Sequence, residues 1–306
     1  MSESADINRP EPDRGDDRVI PFHLNEKQVR GRIVRLGTVA DDIVSRHDVP
    51  VAVQNLLAET MALTSMVATA LKFDGIFTLQ TQGDGPVNML VGDVRNGGDL
   101  RGLARLKDDT APGDAPDTGD GSVQALLGTG SMAFTVDPAG DANRYQGLVA
   151  LDGSSIATCA EHFFSQSEQI PTYIQLAAGR GPDGRWRAGG LMLQAMPGAR
   201  PDEPQEADWT YALALANTVK PGELIDAGLD GPQLLYRLFH EDGVWIHDAQ
   251  PLTDRCTCGD GRIFDVLKSM PADEVRDLAN DDRIEAACQF CNRIHTIKLS
   301  ALENRG

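Results

Sequence analysis

Two short cysteine clusters near the C-terminal end constrain this chain more than any other feature. Four of its five cysteines lie in CTC, residues 256–258, and CQFC, residues 288–291. In an extended segment, residues i and i+2 face the same side, so both thiols of CTC can face one ion. CQFC has the spacing of a zinc knuckle, a tight turn whose ends converge. Because four thiolates are a preferred ligand set for structural Zn²⁺, we predict one zinc ion per chain, bound by Cys256, Cys258, Cys288 and Cys291.

The segment between the clusters suggests that this site is also a switch. Residues 263–270 and 272–281 predict two short helices in a module that is too small to be stable without a staple. Zinc keeps its thiols ionised, and thiolates are the form that oxidants attack. Oxidation would therefore remove the ligands, release the ion and unfold the module. The alternative of four ordinary buried cysteines stays open, because the gap is longer than in common zinc ribbons.

Charge and the N-terminal sequence narrow the classes of partner and compartment. The formal net charge is -18, which disfavours a nucleic-acid partner because phosphates are bound by basic residues. The acidic, proline-containing N-terminus lacks the basic flank and apolar stretch of a secretory signal. No apolar run approaches the roughly 20 residues that a membrane span needs. We therefore expect a protein of a reducing compartment with no membrane partner.

The rest of the chain predicts an α+β fold with an antiparallel sheet. Residues 86–106, 131–151 and 172–196 each show two strand patterns around a turn that is rich in glycine or proline. Residues 50–73 give the longest helical pattern, apolar over most of its girth, and residues 154–169 give another. Strands clustered as hairpins with helices between them are typical of α+β proteins.

Composition also suggests where the chain divides. A stretch rich in proline and acidic residues follows the last hairpin, and short helical patterns joined by glycine and proline come after it. We predict four parts: a disordered acidic tail at 1–16, an α+β core domain at 17–198, a helical linker at 199–243 and a C-terminal zinc and redox-switch domain at 244–306.

The cysteine pattern and several other stretches resemble the family of the redox-regulated 33 kDa chaperonin, heat-shock protein 33. CxC followed at distance by CxxC, at the end of an acidic chain of 32.9 kDa, is the most specific feature. LKFDGIFTLQTQGDGPVNMLVGDV, SQSEQIPT, LMLQAMPG, LLYRLFHEDGVWIHD and IEAACQFCN also resemble stretches of that family. The resemblance spans roughly residues 18 to 300.

This resemblance implies a function as well as a fold. It implies a chaperone without enzymatic activity that holds unfolding client proteins independently of ATP in the bacterial cytoplasm. The reduced protein would bind zinc and be inactive. Oxidants such as hypochlorite, or peroxide with heat, would form the disulfides Cys256–Cys258 and Cys288–Cys291. Zinc would leave, the C-terminal module and the adjacent linker would unfold, and the active form would be a homodimer.

Other interpretations of the cysteines and histidines remain open from the sequence. A thiol–disulfide oxidoreductase that uses CQFC would normally place its first cysteine at a helix N-terminus. The sequence around 288–291 instead favours strand, knuckle, strand. Cys159 lies on a predicted helix and is expected to be a core residue rather than a fifth redox thiol. His295 flanks the clusters and is a less favoured substitute for one thiolate.

Overall fold

The structure of the chain is a computed structural model. Most of the predicted tail at 1–16 and the predicted boundary near residue 198 lie outside the residues that the structure describes. Contacts divide the chain into two compact units, Met1–Asp254 and Arg255–Gly306. The described residues are 5–6, 15–24, 27–71, 73–95, 98–107, 123–139, 143–196 and 205–303.

The first unit contains a seven-stranded antiparallel sheet, sheet A. Its order is β1, β11, β2, β3, β10, β9, and β12 also pairs with β2. Residues that alternate along a strand point to opposite faces, so Ile33 and Leu191 belong to one apolar cluster while Val34 and Met192 belong to another. Both faces of sheet A are therefore covered. The strands are β1 (Ala5–Asp6), β2 (Arg18–Leu24), β3 (Val29–Leu36), β9 (Thr172–Arg180), β10 (Trp186–Ala195), β11 (Val244–Ile246) and β12 (Gln250–Pro251).

The same unit contains a second sheet, sheet B, of six strands. Their order is β13, β6, β5, β4, β7, β8, antiparallel except where β13 joins β6. The predicted hairpins are confirmed as β5–β6, β7–β8 and, in sheet A, β9–β10. The strands are β4 (Gly75–Gly83), β5 (Val87–Arg95), β6 (Asp99–Leu106), β7 (Gly130–Pro138), β8 (Tyr145–Ala150) and β13 (Thr253–Asp254).

The long predicted helix is α2, Val51–Ala70, which packs against both sheets. The short helix α1, Thr38–Val44, precedes it in the chain. It is long and apolar enough to pass a test for a membrane span, so the expectation that no apolar run approaches such a length was wrong. The helix is this apolar because it is a core helix: 78% of its most apolar window is buried inside the protein. Its fully buried hydroxyl groups bond to the helix backbone: Thr64, for example, donates a hydrogen bond of 2.6 Å to the Thr60 carbonyl.

The predicted helix over 154–169 forms in two parts. The helix α4, Ile156–Phe163, starts at Ser155, whose hydroxyl accepts a hydrogen bond from the Thr158 amide. A π-helical turn, Phe164–Glu168, continues it. A five-residue helix, α3 (Val123–Leu127), precedes β7.

The segment predicted as a helical linker forms three helices on one face of sheet A: α5 (Gln205–Ala216), α6 (Pro221–Ile225) and α7 (Gly231–Phe239). We call these the linker helices. Their buried side chains join Ile33, Leu191 and Leu193 in one apolar cluster. The α7 helix begins with a capping box, in which the Asp230 carboxylate accepts a hydrogen bond from the Gln233 amide. The linker helices thus cover an apolar sheet face that would otherwise meet water.

The second unit begins after Asp254, although the sequence suggested a division at residue 244. The difference arises because β11, β12 and β13 are strands of two or three residues that add to the sheets of the first unit, and such short strands leave no alternating pattern. The unit itself contains α8 (Asp260–Ser269), α9 (Ala272–Asp277), the two-stranded sheet of β14 (Arg283–Ala287) and β15 (Ile294–Lys298), and α10 (Leu299–Glu303).

Candidate metal centre

The CQFC motif lies in the turn that joins β14 to β15. The Cys288 amide donates a hydrogen bond of 2.9 Å to the Arg293 carbonyl, and the Asn292 amide donates one of 2.8 Å to the Cys288 carbonyl. Asn292 has φ of 55°, a left-handed conformation that asparagine tolerates better than most residues. These contacts close a tight turn with Cys288 and Cys291 at its two ends, as the predicted strand, knuckle, strand arrangement requires.

The CTC motif is an irregular segment just before α8. All three of its residues, 256–258, are half-buried, and α8 starts after Gly259. The Arg262 guanidinium in the first turn of α8 donates a hydrogen bond of 3.0 Å to the Thr257 hydroxyl. The motif is thus tied to the helix that follows it.

The structure brings all four predicted thiols together. Their sulfur atoms lie within 4.8 Å of one another, a grouping that could hold a metal ion. Contacts join the two motifs: Cys256 Sγ lies 3.7 Å from Cys288 Sγ, and Cys258 Sγ lies 3.4 Å from Cys291 Sγ. A tetrahedral zinc ion with Zn–S bonds of about 2.3 Å needs sulfur atoms about 3.8 Å apart. The four thiols therefore fit such an ion.

The thiols also perturb one another's ionisation. Burial raises the pKa of Cys256, but hydrogen bonds from the Cys258 backbone and from the other thiols outweigh it and bring that pKa down to about 7. Burial and the neighbouring thiols raise the pKa of Cys258 to about 12, and burial raises that of Cys291. Without a cation, the cluster thus favours ionisation of Cys256 over that of Cys258 and Cys291. A divalent cation supplies the charge that lets several thiols ionise together.

His295 lies beside the cluster but is not part of it. Its side chain is 4% exposed, and its Nδ1 atom lies 2.6 Å from the Asp260 carboxylate in the first turn of α8. The contact joins β15 to the helix that follows CTC. The sequence suggested His295 only as a less favoured substitute ligand, because nothing in the spacing links residues 260 and 295.

The unit that holds the cluster has a small apolar core. Its buried apolar side chains, among the described residues of 255–303, are Leu267, Val275, Ile284 and Ile297. A core of this size in roughly fifty residues is normally supplemented by a disulfide or a metal ion. The stability of the unit is therefore expected to depend on what the four cysteines bind.

The positions of Cys159 and of the CQFC motif both agree with the expectations from the sequence. Cys159 lies on α4, is fully buried in the core of the first unit, and has its pKa raised by burial, which suits an inert core thiol. Within the described residues 283–298, CQFC lies between two antiparallel strands rather than at a helix N-terminus. It therefore lacks the helix dipole that activates the first cysteine of many thiol–disulfide oxidoreductases.

Comparison with known proteins points to one family. The sequence model of the family described as "Hsp33 protein" matches residues 17–298. The 33 kDa chaperonin of Caulobacter vibrioides is 40% identical over 296 residues, which are 94% of this chain and 97% of that protein. The 33 kDa chaperonin of Escherichia coli is 38% identical over 264 residues, 86% of each chain.

A solved structure shares the fold. The crystal structure of the 33 kDa chaperonin of Thermotoga maritima superposes with a TM-score of 0.78 at 21% identity, covering 94% of this chain and 97% of that one. The α+β architecture with antiparallel sheets and a C-terminal cysteine cluster is therefore confirmed.

Proposed function

Because this chain belongs to the Hsp33 family, whose members compared above are chaperonins, we propose that it is a chaperone switched on by oxidation of its C-terminal cysteines. The single observation that carries the switch is the convergence of four sulfur atoms within 4.8 Å in a unit with a small core. The proposed activity is the holding of unfolding proteins, without ATP and without catalysis.

In the reduced state, Cys256, Cys258, Cys288 and Cys291 bind one zinc ion per chain. Four sulfur ligands in a closed set favour Zn²⁺ over harder cations such as Mg²⁺ or Ca²⁺, which prefer oxygen. Such a closed set leaves no open coordination position for a substrate, so the ion is structural. Zinc binding of this kind contributes about 10–16 kcal/mol in small peptides, enough to decide whether the unit folds.

Oxidation converts the four thiolates into two disulfides, Cys256–Cys258 and Cys288–Cys291. Four electrons pass to two equivalents of a two-electron oxidant, which takes up protons from the solvent, so that hypochlorite gives chloride and water, or peroxide gives water. The metal ion leaves because disulfide sulfur is a poor ligand. Each proposed disulfide lies within one motif, so neither replaces the link between CTC and the β14–β15 hairpin that the ion provided.

Loss of that link unfolds the C-terminal unit, and unfolding spreads to the adjacent linker helices. These helices cover Ile33, Leu191 and Leu193 on one face of sheet A, so their release exposes an apolar surface. Unfolding proteins bind there through their own apolar segments. The active form is a homodimer, and the protein works in the bacterial cytoplasm, where thiols stay reduced until oxidants accumulate.

The test measures zinc release and suppression of client aggregation in the same samples, before and after oxidation with hypochlorite. A thermally unfolding client should aggregate in the presence of the reduced, zinc-loaded protein and stay dispersed with the oxidised protein. Release of one zinc per chain should accompany the change. Equal activity in the two states would eliminate the switch.

A pair of matched cysteine variants assigns the role of the cluster. Cys288→Ser should lose zinc and resemble the oxidised protein, because one ligand is missing. Cys159→Ser is the control, since Cys159 is buried in the core of the first unit and belongs to neither cysteine motif. It should bind one zinc and respond to oxidant like the wild type.

A further inference from the structure

Two histidine rings meet where β2 pairs with β11. His23 lies near the end of β2, and His247 follows β11 directly. The Nδ1 atom of His23 lies 2.9 Å from the Nε2 atom of His247, and the ring centroids are 5.0 Å apart. His247 is exposed and His23 is half-buried, so small solutes can reach the pair. The proposed redox switch uses neither ring.

Strand pairing holds the two rings in this position. His23 lies opposite Trp245 in the β2–β11 register, and the His247 amide donates a hydrogen bond of 2.9 Å to the Pro21 carbonyl. Residues i and i+2 of a strand face the same side, so Trp245 and His247 both lie on the face that carries His23. The Trp245 ring stacks on the His23 ring, with centroids 6.4 Å apart and an angle of 8° between the planes. Backbone and side-chain contacts therefore both position the pair.

The facing nitrogen atoms can serve as two metal ligands. A neutral imidazole has one nitrogen that carries a proton and one that carries a free lone pair. Without an ion, one ring donates its N–H to the other, and the contact of 2.9 Å is a single hydrogen bond. An ion would be bound by the lone pairs of His23 Nδ1 and His247 Nε2, with the protons on His23 Nε2 and His247 Nδ1. No proton is lost in this exchange, because a tautomer shift of one ring is enough.

The separation of the two nitrogen atoms favours some ions over others. With metal–nitrogen bonds of about 2.0–2.1 Å, two ligands at a right angle lie about 2.9 Å apart, whereas two tetrahedral ligands lie about 3.3 Å apart. The observed distance of 2.9 Å matches the right angle. Right angles are typical of the square-planar and tetragonal sites that Ni²⁺ and Cu²⁺ prefer, whereas structural Zn²⁺ is tetrahedral.

The histidine pair differs from the cysteine cluster in ligand chemistry and in ligand number. In the described part of the chain, the cysteine cluster is the only place where three or more His, Cys, Asp or Glu ligand atoms converge. Water must therefore supply the remaining ligands at the histidine pair, so the site is open and can exchange its ion. Thiolates suit Zn²⁺, and imidazole with water also suits Ni²⁺ and Cu²⁺.

We propose that His23 and His247 form a surface site for one Ni²⁺ or Cu²⁺ ion, which uses none of the four clustered cysteines. The ion would join β2 to the residue that follows β11, beside the backbone contact of His247 with Pro21. Binding that needs both rings stabilises the paired strands by mass action, because the unfolded chain does not hold the rings together. The inference does not depend on the proposed redox switch.

The test uses Ni²⁺, because Cu²⁺ would oxidise the thiols. Calorimetric titration of Ni²⁺ into the reduced, zinc-loaded full-length protein should show one site per chain. His23→Gln and His247→Gln should each weaken it at least about tenfold, since one imidazole loses the advantage of a second ligand held beside it. Both variants keep all four clustered cysteines, so any Ni²⁺ that these bind affects variants and wild type alike. Equal Ni²⁺ affinities of the wild type and both variants would overturn the proposal.

A control variant and a second readout separate chelation from adventitious binding. His162→Gln removes an imidazole of α4 whose Nδ1 atom faces the Asp152 carboxylate at 3.1 Å rather than a second imidazole, and it should leave the affinity unchanged. Ni²⁺ should slow amide hydrogen exchange of β11 in the wild type and leave it unchanged in His247→Gln. If Ni²⁺ binds the wild type without slowing exchange in β11, it is an adventitious ion only, held by one ring, and the proposal is refuted.

Discussion

Arg35 of β3 donates a hydrogen bond of 3.2 Å to the backbone carbonyl of Leu224, near the end of the linker helix α6. The guanidinium also contacts the Glu223 and Asp226 carbonyls, and Asp16 pairs with it at 3.2 Å. Arg35 is 4% exposed. A buried cation on sheet A thus satisfies the carbonyl groups that the end of a short helix leaves open.

The first prediction concerns the variant Arg35→Met, which removes these hydrogen bonds and leaves the buried Leu224 carbonyl and two partly buried carbonyls without this donor. Each such loss costs about 1–3 kcal/mol, so the linker helices should detach more readily. If their release exposes the client-binding surface, the reduced variant should suppress aggregation partly, without oxidant. The measurement is client aggregation together with hydrogen exchange of α6 and α7.

The control for this prediction is Arg180→Met. Arg180 is exposed, and its contacts in the described part of the chain stay within the β9–β10 hairpin: it donates to the Gly184 carbonyl and lies over the Trp186 ring at 4.7 Å. The reduced control should be as inactive as the wild type. If the reduced Arg35→Met protein is fully inactive while α6 exchanges faster, the linker helices do not cover the client-binding surface.

The second prediction concerns Glu59 of α2, a half-buried carboxyl whose pKa is raised from 4.5 to about 7 by burial. Between these values the unfolded chain loses its proton while the folded chain keeps it. The free energy of unfolding therefore falls as the pH rises from about 4.5 to about 7, and it is constant above about pH 7. The total fall is at most about 3 kcal/mol, because a difference of one pKa unit corresponds to about 1.36 kcal/mol. Glu59→Gln should remove this slope.

Urea denaturation of the wild type and of Glu59→Gln at several pH values between 5 and 8 checks the prediction. The difference in the free energy of unfolding should favour the variant increasingly up to pH 7 and then level off. Asp48→Asn, which alters an exposed carboxyl, is the control. A difference between wild type and Glu59→Gln that does not vary with pH would show that Glu59 does not titrate in this range.

The sequence alone was sufficient for features whose signal is local. The cysteine spacing located the cluster, and turn residues such as those at 95–98 located the hairpins, because each pattern is complete within a few tens of residues. The pairing of β11 with β2 and the contact of Arg35 with Leu224 join residues about two hundred positions apart. No periodicity within either segment encodes such contacts, so they became visible only in the folded chain.

Burial explains the other differences between sequence and structure. The composition of α2 fits a membrane span as well as a core helix, and its position against both sheets agrees with the burial that its apolar girth predicts. The contact between His23 and His247 arises from strand pairing instead, and neither histidine lies in a pattern that indicates it.

The third prediction concerns removal of the metal ion by a chelator under reducing conditions. Since only four buried apolar side chains form the core among the described residues 255–303, the unit should lose its structure when the ion leaves. Amide hydrogen exchange should increase throughout β14 and β15 and stay slow in β3 and β10. Equally slow exchange in β14 with and without metal would show that the four cysteines hold the unit together unaided.

The last prediction concerns Gly92 of β5, where the second sheet meets α2. A Cβ atom at this position would lie 2.3 Å from Thr64 Oγ1, whose hydroxyl is already bonded to the Thr60 carbonyl. Overpacking of a buried interface costs about 1–3 kcal/mol, so Gly92→Ala should lower the free energy of unfolding by about that much. The measurement is chemical denaturation of the reduced protein.

Two further variants test the cause of this loss. Gly222→Ala adds the same methyl group inside α6, where nothing lies within 4 Å, and should be neutral or slightly stabilising because alanine favours a helix by up to about 1 kcal/mol over glycine. The double variant Gly92→Ala with Thr64→Ala removes the crowding atom, so its loss should be smaller than the sum of the two single losses. Additive losses would mean that Thr64 is not what Gly92 accommodates, and that glycine at this position serves the strand backbone instead.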